Sequence, residues 1–199
     1  MTMSTARRGK GRDREGLLVE AAAELIAERG LAHVRVADVA ERAGMTPGHV
    51  TYYFPTKSEL LVRAIEASED ALLDELAASL SRVRDPWRRL VRLLELSAAD
   101  GADDPGWVLW LQVWQESTLD ALAREAQGRL DARWRGILAN VLRYGAERGV
   151  FAVEDADAAA LVLSSLVDGL SIQVTLGGLD RAGMMRLLRQ TARRLVEPA

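Results

Sequence analysis

Val36-Ala37-Asp38-Val39-Ala40-Glu41-Arg42-Ala43-Gly44-Met45-Thr46-Pro47-Gly48-His49-Val50-Thr51-Tyr52-Tyr53-Phe54-Pro55-Thr56-Lys57 is the stretch on which the fold turns. Val36, Val39, Ala40 and Ala43 recur at helical spacing, and Gly44 ends that short helix. Thr46-Pro47 then opens another, the threonine as cap and the proline in the first turn, where a missing N–H costs nothing. Val50 and Phe54 share one face of this third helix, and Pro55 breaks it. Two short helices around a tight glycine turn, with a helix ahead of them, have the spacing of a helix-turn-helix, whose last helix enters the major groove.

The faces of the third helix divide sharply. At about 100° per residue, Phe54 falls about 40° from Val50, whereas Thr51, Gly48 and Tyr52 fall about 100°, 160° and 200° away and His49 flanks them at about 260°. Gly48 has no side chain to hold the helix off a duplex. Thr51 brings a hydroxyl and a methyl, and Tyr52 a phenol for phosphate or base. Thr46 at the helix start and Lys57 just beyond the helix are expected phosphate contacts. Thr46 could equally serve only as a cap, His49 as a solvated surface residue, and Tyr53 and Phe54 as core.

The rest of the chain is helical in the same idiom. Leu17, Ala21 and Leu25, beside Leu18, Ala22 and Ile26, predict a first helix over about 13–29, stopped at Gly30. After Thr56 a long helix runs to about 83, and breaks at Asp85-Pro86, Asp103-Asp104-Pro105-Gly106, Gly149 and Gly177-Gly178 leave helices over roughly 87–100, 106–117, 119–148, 155–176 and 180–196. The expected fold is all-α with about nine helices. Its parts are a disordered basic arm (1–12), a helix-turn-helix domain (13–57) and a C-terminal effector-binding and dimerisation domain (58–199).

Composition narrows the function further. The 199 residues are 49% hydrophobic and contain no cysteine, which excludes disulfides, thiolate metal centres and a cysteine nucleophile. The net charge is -3, yet residues 1–57 hold nine Lys/Arg against seven Asp/Glu, a net of +2, so the remainder carries -5. Nucleic-acid affinity must therefore be local to the front of the chain. The only two histidines, His33 and His49, sit in that front part. With no nucleophile elbow, phosphate-cradling loop or metal-ligand spacing, neither catalysis, a cofactor nor a metal is expected. No uninterrupted apolar run has the length of a membrane span, and no signal-peptide pattern follows the arginines, so a cytoplasmic protein without a membrane partner is expected.

Residues 36–57 resemble the DNA-binding signature of TetR-family bacterial transcriptional regulators. The resemblance implies a homodimer whose N-terminal heads bind a palindromic double-stranded operator and whose C-terminal domain holds a small-molecule effector pocket. Carried over position by position, it puts Thr46, Pro47, Gly48, His49, Thr51, Tyr52, Tyr53 and Lys57 at the DNA. Two residues depart from the family pattern. Arg35 stands where a Ser or Thr usually caps the second helix. Thr51 replaces a frequent tyrosine, which brings the exposed edge closer to the choline-responsive BetI branch.

Trp107, Trp110 and Trp114, three and four residues apart, lie on one stripe of one helix. Such a stripe is ordinary core, but the resemblance sets this helix beside the effector pocket. Indole faces with a carboxylate, for which Glu116 and Asp168 are candidates, suit an organic cation, while a flat aromatic would stack on the same rings. Residues 158–176 are apolar around most of the helix and need cover on several sides. Ser165, Gly169 and Ile172, with Leu188 on the last helix, are the expected dimer contacts. An all-α scaffold or ligand-binding protein whose three-helix head contacts protein is the alternative.

Overall fold

The computed structural model describes the backbone of residues 4–197 and the side chains of 14–197; the expected basic arm, 1–12, lies outside the residues whose side chains are described. Among the described residues are nine α-helices: α1 (Ser4–Arg29), α2 (Val36–Arg42), α3 (Pro47–Tyr53), α4 (Lys57–Ser81), α5 (Pro86–Ser97), α6 (Pro105–Leu119), α7 (Ala121–Glu147), α8 (Ala156–Thr175) and α9 (Arg181–Val196). A single 3-10 turn, Leu31–His33, follows α1 and was not expected. The helix α1 begins at Ser4, ahead of the predicted 13. They form two compact units: residues 1–71 with 111–127, and residues 72–110 with 128–199.

The first unit is built around the helix-turn-helix. Leu18, Ala22 and Leu25 of α1, Val39 and Ala40 of α2, Val50 of α3 and Leu60 and Ala64 of α4 are buried. Between α2 and α3, Gly44 has φ 65°, and the Met45 N–H donates to Ala40 O (2.8 Å) while the Gly44 N–H donates to Glu41 O (3.0 Å). That is a Schellman closure, which needs the left-handed conformation glycine adopts at least cost. Arg42 of α2 donates to Glu24 and to both oxygens of Glu28 on α1, and so ties the two helices together while holding the Glu28 carboxyl below its usual range.

This unit reaches past the expected boundary at 57/58 because later residues pack into it. The Gln112 amide oxygen accepts the Leu31 N–H at 2.8 Å, and Ser58 Oγ donates to Asp120 at 2.8 Å. Asp120 also accepts the Leu122 and Ala123 N–H groups, capping α7; these bonds, led by the Ala123 amide, hold its carboxyl low.

In the second unit, α7 closes on a left-handed Gly149, and Phe151 turns back so that its ring covers Gly145, where any Cβ would fall inside the ring. Arg181 at the start of α9 donates to the carbonyls of Glu95, Ala98 and Ala99, satisfying the end of α5. By length and average composition α8 is long and apolar enough to cross a membrane, although scattered polar residues interrupt its apolar run. Its inner face, Ala160, Leu163, Val167, Ser171 and Val174, is nonetheless buried within the unit, and Ser171 Oγ accepts the Ala99 N–H at 3.2 Å.

Candidate functional site

The third helix presents the surface its periodicity implies. Val50 and Phe54 are 1% and 5% exposed, while Thr46, Pro47, Gly48, His49, Thr51, Tyr52 and Lys57 are exposed and Tyr53 is half-buried. Tyr52 is 80% exposed, and its ring stands edge-on to Tyr53 with centroids 5.1 Å apart, so the half-buried tyrosine steadies the outward one.

The helix start is closed by its own side chains. Nδ1 of His49 accepts the Thr46 N–H at 3.4 Å and lies 3.1 Å from Thr46 Oγ1. With Nδ1 accepting, a neutral imidazole carries its proton on Nε2, leaving a donor on the far edge of the ring. Thr51 spends its hydroxyl proton on the helix, donating to Pro47 O (3.4 Å) and Gly48 O (3.3 Å). What remains for a partner is an acceptor oxygen and the methyl, a group that complements the thymine methyl. At Gly48 a Cβ would meet only Thr46 Oγ1, at 3.8 Å, so nothing inside the chain requires glycine there. The face is small, hydrogen-bonding and aromatic, fixed on a rigid helix.

The predicted effector residues are not of one kind. Trp107 is buried and its indole N–H donates to Ser97 O at 3.1 Å, a structural role. Trp110 and Trp114 are half-buried, whereas Glu116 is exposed to solvent, where a carboxylate is already well satisfied; that removes the physical reason for assigning it to a pocket. Asp168 is half-buried on α8, and burial, with Asp131 adding repulsion and Arg135 opposing it, pushes its carboxyl up to about 6.

Of the expected dimer contacts, Ser165 and Gly169 are exposed and Ile172 half-buried, but Leu188 is fully buried in its own chain and has no surface to offer. Both leucines fit the apolar spacing of α9, and its one-residue ambiguity hid that Leu187, 42% exposed, is the outward one. Sequence reasoning also missed Leu161 and Val162, about half exposed on α8. Their signal was an aliphatic pair beyond what one buried face can absorb.

An all-α chain with a helix-turn-helix head and an outward recognition face belongs to the class of DNA-binding regulators. Residues 18–64 match the family model for bacterial regulatory proteins of the tetR family, and residues 86–197 the model for the C-terminal region of BetI-type transcriptional repressors. The chain belongs to the TetR family; it is a ligand-responsive DNA-binding transcriptional regulator, not an enzyme. It is similar to the transcriptional regulator BetI of Burkholderia ambifaria (30% identical, covering 83% of this chain and 84% of that one) and to BetI of Rhizobium meliloti (28%, 82% and 78%). Among solved structures it resembles a transcriptional regulator from Saccharomonospora viridis in complex with choline, 35% identical with a TM-score of 0.72 over 94% of this chain and 100% of that one.

Proposed function

We propose that the chain acts in the bacterial cytoplasm as a homodimeric repressor. It grips a palindromic operator with two copies of α3 and leaves when a small organic cation binds its C-terminal helices. The observation that carries the effector class is Asp168, a carboxylate in the middle of a predominantly apolar helix, held up to about 6 by burial and by Asp131. When ionised it lacks part of the solvation it would have in water, which Arg135 offsets only in part, and a bound cation would supply further compensation. Trp110, half-buried in the same unit, offers the ring face that attracts quaternary ammonium groups. The choline held by the Saccharomonospora viridis relative is a ligand of that chemistry.

Two recognition helices must reach successive major grooves, about 34–36 Å apart or a multiple of it. An effector that binds better when the heads are set otherwise weakens DNA binding, and by linkage DNA weakens the effector equally. Tryptophan fluorescence tests the effector class. Choline and tetramethylammonium should give saturable changes, and dimethylbutanol, the uncharged carbon isostere of choline, should not; an equal response to the alcohol would overturn the cationic reading.

A further inference from the structure

The head's cations fall into two groups. Arg29 pairs with Asp38 at 3.2 Å, Arg42 with Glu24 and Glu28 at 2.9 and 2.8 Å, and Arg63 with Glu66 at 3.4 Å. The side chains of Arg35 and Lys57, like that of Arg14 on α1, are exposed and have no hydrogen-bonded or ion-paired partner among the described residues; of the three, only Arg35 and Lys57 adjoin the helix-turn-helix. They stand immediately before α2 and at the start of α4, and so bracket the helix-turn-helix.

Arg35 is the more telling of the two. It occupies the N-cap of α2 in extended geometry (φ -116°, ψ 145°) and makes no side-chain bond to the helix start. The one acidic residue in the first turn, Asp38, is bonded to Arg29. A Ser, Thr, Asp or Asn would satisfy an orphan amide at this position, and arginine forfeits that. A cation that gains nothing within its own chain, at the start of the helix that crosses the DNA backbone in this motif, fits a partner outside the chain.

We infer that Arg35 binds an operator phosphate and, with Lys57 at the other end of the motif, anchors the head through sequence-independent contacts. Guanidinium suits this role, since its fork matches two phosphate oxygens at once. The inference rests on the DNA-binding reading and adds a contact to it.

Fluorescence anisotropy on two labelled duplexes of unrelated sequence, over a salt series, tests it with R35S and R35K. Arg35→Ser restores a capping hydroxyl, so its thermal stability should equal or exceed that of the parent. Its log-log salt slope should be shallower by about 0.9, so that its deficit against the parent widens roughly 3.5-fold as salt falls from about 200 to about 50 mM, on both duplexes alike. Arg35→Lys should keep the parent slope. An unchanged slope in R35S, or a loss confined to one sequence, would overturn the phosphate contact alone. Failure of the parent itself to bind any duplex would instead sink the DNA-binding reading.

Discussion

At the scale of single residues, the surface proposed to face DNA is marked by positions whose chemistry the chain itself does not use. Glycine inside a helix is less favourable than alanine by about 1 kcal/mol, and at Gly48 a methyl group would meet only Thr46 Oγ1, at an ordinary contact distance. Tyr52 leaves most of a large ring in water. Gly48→Ala should therefore raise thermal stability by up to about 1 kcal/mol and weaken binding to an operator selected by the parent from a random duplex pool. Tyr52→Ala should alter stability by no more than about 0.5 kcal/mol and lower operator affinity by about 1–3 kcal/mol. Calorimetry beside anisotropy checks the pair. A destabilised Gly48→Ala protein would mean that the glycine serves the fold.

Helices were legible where local chemistry sets their ends. Asp85, Asp155 and Asp180 each accept amides at the start of α5, α8 and α9, at the breaks the sequence predicts, and Thr56 caps Glu59 as expected. Which outward face meets what was legible only on α3, whose two faces differ in kind. On α6 three tryptophans share one stripe, yet their surroundings separate them, because burial depends on residues distant in sequence such as Ser97. Asp168 illustrates the same limit: the sequence shows a charge on an apolar helix, and only the packing of Asp131 and Arg135 near it gives that charge its sign of effect. Its folded pKa lies above the unfolded value, so its contribution favours the folded state at low pH and is lost as pH rises from about 4 towards 6. Asp168→Asn should accordingly stabilise the effector-free protein at pH 7 by about 1 kcal/mol and abolish its response to choline. In the parent, choline affinity should fall up to about tenfold per pH unit below about 6, as the carboxyl protonates. A choline titration insensitive to pH between 7 and 5 would remove Asp168 from the site.

For the whole molecule, the decisive quantity is apolar surface that one chain leaves uncovered. Leu161, Val162 and Leu176 of the α8 region and Leu187 of α9 are about 42–71% exposed, and Leu161, Ser165 and Gly169 follow one another at four-residue steps along α8. Small residues following an exposed aliphatic let a second helix approach closely, and a second copy of the same surface satisfies both at once through a two-fold axis. Nothing within 4 Å would obstruct a Cβ at Gly169, so its smallness has no use inside the protomer. Gly169→Leu should leave the protomer's helicity and melting cooperativity intact, since leucine favours helix over glycine, while separating the pair. Sedimentation velocity should then show a dimer for the parent and a monomer for the variant. Operator affinity should fall with it, because a single head loses the effective concentration that joins two half-sites. A variant that remains dimeric with full operator affinity would place the subunit contact on another face of the molecule.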